Sequence, residues 1–233
     1  MTIDEIKMHD DIEINNQVVL GALNDFKDFI FEKYKSGELE KDLSVNCKDH
    51  TRDRWLADDY MHRIIDRNRA HEGYPESMHS FHGMMPSGET NQMHAPGGLK
   101  KLMEYREKAS ETNQTLMTEL SAKRNTLITV YPPGGWISWH NNANASGYNV
   151  IFSWSETGDG WFDYWDLEKK ERVRIPDKAG WQCKMTYFGS YDEPERLCYH
   201  AASTNCLRMS VAYVFSSAED IWKDVIEDIA NPL

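Results

Sequence analysis

An α+β fold with a mainly β core is predicted by three features of the sequence. Apolar residues recur at helical spacing in the first half of the chain, short β-rich runs follow from Asn125 to Phe215, and helical spacing returns near the C-terminal end. The chain has 233 residues, 40% hydrophobic and 12% aromatic, which is enough to bury a core. One domain is expected over residues 1–233: a helical part over 1–124 with a loop or lid at about 71–98, a β core over 125–215, and a closing helix over 216–233.

From Val18 to Lys35, the residues Val19, Leu23, Phe26 and Ile30 mark one helical face, and Asn16 stands where an N-cap belongs. A second helix is expected from Trp55 to Arg69, with Trp55, Tyr60, Ile64 and Ile65 on one side. Its arginines read as a solvated face that pairs with Asp53, Asp58, Asp59 and Asp66. The stretch His71 to Gly98 is punctuated by Pro75, Pro86, Pro96 and several glycines, as in a loop that covers a substrate. Of its histidines only His79 and His82 are close in sequence, which does not complete a metal-ligand pattern. Leu99, Leu102, Met103, Ala109, Leu116 and Leu120 then predict a long helix to about Lys123.

The β-rich runs are Thr126–Tyr131, Trp136–His140, Tyr148–Trp154, Trp161–Leu167, Glu171–Ile175, Trp181–Phe188, Leu197–Ala202 and Leu207–Phe215. That many short strands in about 90 residues predict a sandwich or barrel of jelly-roll type. Ser217-Ala218-Glu219-Asp220 resembles a capping box and would open the last helix, with Ile221, Trp222, Val225, Ile226 and Ile229 buried.

Composition narrows the function. A net charge of −12 and a pI near 5.2 disfavour a broad phosphate-binding surface, so nucleic acid is not an expected partner. Apolar runs such as Val18 to Leu20 fall far short of a membrane span, and Met1-Thr2-Ile3-Asp4-Glu5 lacks the basic and apolar segments of a secretory signal. Cys47, Cys183, Cys198 and Cys206 form no C-x-x-C pair and no dense disulfide framework. A cytoplasmic protein with reduced thiols is expected. Oligomeric state is left open.

Chemistry concentrates in the β block. His140 ends the second run, Asn142 follows it, His200 lies near the end of the seventh, and Arg208 and Ser210 share one face of the eighth by strand alternation. A jelly roll sets its second and seventh strands side by side, which would face His140 toward His200 at the barrel mouth. Two imidazoles and one oxygen donor leave open positions on an octahedral ion, as a non-haem iron oxygenase requires. Arg208 and Ser210 suit a buried carboxylate.

The ordered set Tyr131-Pro132-Pro133-Gly134-Gly135, His140-x-Asn142, Pro176-x-x-x-Gly180, His200 and Arg208-x-Ser210 resembles the Fe(II)/2-oxoglutarate-dependent dioxygenases, particularly their prolyl-hydroxylase-like branch. The resemblance covers Thr126 to Phe215. It implies a double-stranded β-helix core (jelly roll, cupin-like), buttressed by N-terminal helices and a C-terminal helix. It further implies that His140, Asn142 and His200 hold Fe(II), and that Arg208, Ser210 and Tyr131 line the pocket for 2-oxoglutarate. The implied activity is hydroxylation of a peptide or small-molecule substrate by dioxygen, with release of succinate and CO2. Ascorbate is a candidate reductant.

The sequence departs from that pattern at Asn142, where the family places Asp or Glu. On the third strand the usual pocket tyrosine is missing, with Ser153 or Phe152 in its place. An amide offers a metal one neutral oxygen, whereas a carboxylate offsets one of its charges. Two other classes of function therefore stand beside the oxygenase: a catalytically inactive jelly-roll binding module that keeps the carboxylate pocket, and a metal cupin with non-oxidative chemistry, which leaves Arg208-x-Ser210 without a role. Asp159 and Asp163 are weighed as substitute carboxylates. The tryptophans read as core and rim aromatics, and Cys198 and Cys206 as packing residues.

Overall fold

Two antiparallel sheets form the framework of the protein in this computed structural model, which describes residues 8–38, 51–67, 73–82, 98–142, 146–215 and 221–232, and the backbone alone at 81–82 and 98–102. The described elements run in the order β1 (His9–Ile12), α1 (Gln17–Lys35), α2 (Arg52–Leu56), α3 (Asp58–Arg67), β2 (Met78–His79), β3 (Phe81–His82), α4 (Gly98–Glu119), β4 (Arg124–Tyr131), β5 (Trp136–His140), β6 (Gly147–Ser155), β7 (Gly160–Asp166), β8 (Glu171–Pro176), β9 (Gly180–Phe188), β10 (His200–Thr204), β11 (Arg208–Val214) and α5 (Ile221–Ala230). The larger sheet has the order β1-β9-β6-β11-β4-β3 and the smaller β2-β5-β10-β7-β8. Consecutive strands from β4 to β7 thus alternate one by one between the sheets, and β5 lies beside β10 and β4 beside β11 although they are distant in sequence.

Asn16 caps α1 as its position in the sequence predicts. Its side-chain oxygen accepts from the amides of Val18 and Val19 at 3.0 and 3.1 Å. The same side chain is fully buried and donates to Glu119 Oε1 at 2.8 Å and to the Asp228 carbonyl at 3.0 Å, so one cap ties together three helices. The expected helix from Trp55 to Arg69 is two helices, because Ala57 adopts an extended ψ of 152° between α2 and α3. The strand expected from Leu197 starts only at His200, after a 3-10 turn at Pro194–Arg196. Strand β1 carries no alternating apolar signal and is held by main-chain pairing at the edge of β9. The Ser217–Asp220 cap, most of the 71–98 loop, and His71, His94 and Cys47 lie outside the described residues.

Alternation along the strands sorts residues into separate cores. On the outer face of the larger sheet, α1, α4 and α5 bring Val19, Leu23, Phe26, Leu116 and Ile229 against Val130, Phe152, Met209 and Val211. Each such large side chain contributes about 1.5–3 kcal/mol on burial. On the outer face of the smaller sheet, Leu56, Tyr60 and Ile64 of α2 and α3 pack on Trp136, Trp139 and Tyr199. Between the sheets lie Tyr131, Ile137, Ile151, Phe162, Phe188, Ala202 and Ala212.

The turn Tyr131 to Gly135 carries the chain from one sheet to the other. Gly134 has a φ of 79°, and a Cβ at Gly135 would lie 2.8 Å from the His79 carbonyl oxygen, so both glycines are required by the backbone there. Among the described residues no helix is long and apolar enough to cross a membrane.

Candidate functional site

The register of β5 and β10 pairs His140 directly with His200, and their ring centroids are 4.1 Å apart. Both rings are locked in the same way. Nδ1 of His140 donates to the Ser138 carbonyl at 2.8 Å, and Nδ1 of His200 donates to the Cys198 carbonyl at 2.9 Å. A carbonyl only accepts, so each imidazole in its neutral form carries its proton on Nδ1 and its lone pair on Nε2, the arrangement that metal-binding histidines adopt. Phe188 and Phe162 stack on the His200 ring at centroid distances of 5.1 and 5.5 Å and fix its plane. Burial pushes His200 down to about 4, against a smaller opposing effect of its bond to the Cys198 carbonyl, so the ring is neutral near pH 7.

Both histidines open on a cavity of about 420 Å³ between the sheets. Asn142, Tyr131, Arg208 and Ser210 line the same cavity, so the structure brings together all six residues singled out in the sequence. Asn142 has a φ of 61°, a left-handed conformation that asparagine tolerates well, and its amide has no hydrogen-bond partner among the described residues. The described part of the 71–98 loop supplies Tyr74, Pro75 and Met78 to the cavity wall.

Arg208 is 1% exposed and held on four sides. Its Nε donates to Asp177 Oδ2 at 2.7 Å, Nη1 to Ser210 Oγ at 2.6 Å and Nη2 to Ser153 Oγ at 3.3 Å, and its guanidinium lies 5.2 Å from the Tyr131 ring centroid. Burial disfavours its charge, but Asp177 and Tyr131 outweigh that and raise its pKa, so it is charged throughout the ordinary pH range. Burial also pushes Tyr131 up to about 12, with Asp177 adding to the effect and Arg208 and Ser210 opposing it. One N–H on each Nη atom is not used by these bonds, which leaves a two-pronged donor suited to a carboxylate.

Two polar residues here were not assigned roles from the sequence. Asp177 lies inside the Pro176-x-x-x-Gly180 motif, but only the fold shows that its carboxylate meets Arg208, in a space that Gly160 keeps open by lacking a Cβ. Lys184 is buried on β9 and carries no sequence signal beyond a charged residue within an apolar strand. The choice left open on β6 is resolved by alternation: Ser153 bonds Arg208, and Phe152 faces the helices.

The substitute carboxylates are corrected by the structure. Asp163 follows the cavity-lining Phe162 and points to the opposite face, where Arg172 and Arg174 pair with it; Asp159 accepts from Asn205 in the turn that follows β10, beyond its far end from His200. Neither reaches the histidines. His79 packs edge-on to Trp136. Among the described residues no group of three or more His, Cys, Asp or Glu side chains is placed to hold a metal ion. What the site offers a metal is two oriented imidazoles and the amide of Asn142. That donor set fits a divalent ion with fewer charges than a two-histidine, one-carboxylate site.

No family model matches the chain, and no curated protein matches it. Among solved structures, a prolyl-4-hydroxylase from Pseudomonas putida is 12% identical, with a TM-score of 0.31 over 68% of this chain and 100% of that one. OsALKBH1 is 14% identical, with a TM-score of 0.28 over 70% and 94% of the two chains. A rice dioxygenase for auxin oxidation is 12% identical, with a TM-score of 0.24 over 78% and 70%. A predicted oxalate decarboxylase from Thermotoga maritima matches at a TM-score of 0.25 and a carbohydrate-binding module from Cellvibrio mixtus at 0.22. Likenesses at this level carry no functional argument, and the residues themselves must.

Proposed function

We propose that this chain is a single-domain jelly-roll oxygenase that uses Fe(II) and 2-oxoglutarate to hydroxylate a peptide or small-molecule substrate, releasing succinate and CO2. The observation that carries the reading is the pair His140 and His200, each with Nδ1 committed to a carbonyl, opening on the same cavity as a buried Arg208. In this reading His140, His200 and the Asn142 oxygen hold the metal. When bound, Fe(II) supplies activation of dioxygen at a position beside the substrate.

The remaining work belongs to the chain. Arg208 and Ser210 seat the distal carboxylate of 2-oxoglutarate, with Tyr131 closing that end. Phe162 and Phe188 hold the His200 ring and keep water from it. Tyr74, Pro75 and Met78 border the path by which a substrate would enter.

The decisive assay is succinate formation from 2-oxoglutarate with Fe(II) and ascorbate. Turnover by the native protein that His200→Ala abolishes is the expected result, and it would show that the amide is tolerated. A silent native protein would favour a second reading, which Asn142 itself motivates: a jelly roll that retains the carboxylate pocket as a binding module. Turnover or tight Fe(II) binding restored by Asn142→Asp would then mark a catalytic site that lost one charge.

A further inference from the structure

Lys184 is an unexplained expense in the barrel interior. It is 0% exposed, and its register partner on β6 is Ile151, a residue of the cavity wall. A buried ammonium is costly unless it is compensated. Its hydrogen-bonded contact is Gln182 Oε1 at 3.5 Å, at the limit of such a bond. Gln182 in turn donates from Nε2 to Asp177 Oδ1 at 3.2 Å, and Asp177 Oδ2 accepts from Arg208 at 2.7 Å. A continuous polar chain therefore runs from Lys184 to the guanidinium at the cavity wall.

Charge counting along this chain gives two cations and one carboxylate. Asp177 neutralises Arg208, and the ammonium is the surplus. Without Lys184 the Arg208 pair would present a neutral site, to which a carboxylate would be drawn by hydrogen bonds alone. With it, the interior is one negative charge short.

We propose that Lys184 is a positioning residue of the carboxylate subsite: acting through Gln182 and Asp177, it leaves the Arg208 cluster one positive charge in excess and so selects a ligand that brings a carboxylate into the barrel. The identity of that ligand as 2-oxoglutarate rests on the oxygenase reading; the charge requirement does not. Burial and Arg208 push Lys184 down to about 8, with Asp177 as the main opposing influence. The other charged or titratable groups acting on it are Cys183 beside it on β9 and Asp10 on the neighbouring β1. A carboxylate arriving at Arg208 favours the charged form, so binding near pH 8 draws a proton onto Lys184 from the buffer.

Calorimetric titration of the full chain with 2-oxoglutarate at pH 8, in phosphate and in Tris, reads affinity and proton uptake together. The native protein is expected to take up a fraction of a proton. Lys184→Met should bind about tenfold more weakly, the scale of one unit charge acting across a protein interior, and take up none. Lys184→Arg, permanently charged, should bind within about threefold of native, also without uptake. Both variants are checked by thermal melting, and Lys184→Met should melt higher because it removes a buried charge.

Native affinity and uptake in Lys184→Met would overturn the assignment while leaving the oxygenase reading intact. Binding of glutarate or acetate but not 2-oxoglutarate, weakened by Lys184→Met, would overturn the oxygenase reading alone. Silence toward all three ligands would overturn both.

Discussion

The two faces of the larger sheet are built from the same strands and serve opposite ends. On the face toward α1, α4 and α5, residues such as Phe152, Met185, Met209 and Val211 form an apolar layer closed by the helices. On the face toward the smaller sheet, the very next residues are Ser153, Lys184, Arg208 and Ser210, all buried and polar or charged. One face supplies stability through apolar burial. The other gives some of it up to keep donors and charges arranged around a cavity, as functional sites commonly do.

The comparison can be broken first at Phe152, which is 0% exposed in the helix-facing core. Phe152→Ala should cost about 3–5 kcal/mol of unfolding free energy in denaturant titration, since it leaves a cavity among side chains that cannot fully collapse. If the folded population survives, its affinity for a carboxylate ligand should change little. A loss below 1 kcal/mol would mean that the helices do not close this face as described.

A pH series sharpens it further at Lys184. Its folded pKa of about 8 lies below the ordinary 10.5, so folding favours the neutral form. Below pH 8 the amine is charged in both states and the folded protein bears the cost; above pH 10.5 it is neutral in both and the cost vanishes. Lys184→Met should therefore be more stable than native by up to about 3 kcal/mol at pH 7, with the gap closing as pH rises from 8 to 10.5. A gap that does not vary with pH would mean that burial leaves the Lys184 pKa at its unfolded value.

The smallest expected effect is at Ser153, one residue from Phe152. Ser153→Ala removes a 3.3 Å acceptor from Arg208 Nη2 and should cost about 1 kcal/mol or less in stability. Its effect should appear instead as a modest, about threefold change in affinity for the proposed carboxylate ligand, the weight of one such hydrogen bond. Equal stability losses at Ser153 and Phe152 would dissolve the distinction between the faces.

Much of this arrangement was legible before the fold was known. The strands from Arg124 to Val214 agree with the β-rich runs to within about two residues except at β10, because period-two alternation and Gly or Pro punctuation are local signals. Asn16 was readable as a cap for the same reason. The break at Ala57 was not, since apolar spacing continues across it and only the backbone turns. Edge strand β1 was missed because His9–Ile12 has no buried face to leave a pattern.

By itself the sequence determined the element types and the order of the chemical residues His140, Asn142, His200 and Arg208, since each depends on local pattern or on spacing along the chain. Tertiary structure alone decided which charges meet. Asp177 precedes Arg208 by 31 residues, yet its carboxylate lies 2.7 Å from Nε, while Asp163, an equally plausible carboxylate in sequence, points to the far side of its strand. A side chain's face follows from strand parity, but its partner follows from which strands the topology sets side by side. Antiparallel pairing across distant segments is a global property that no local pattern encodes.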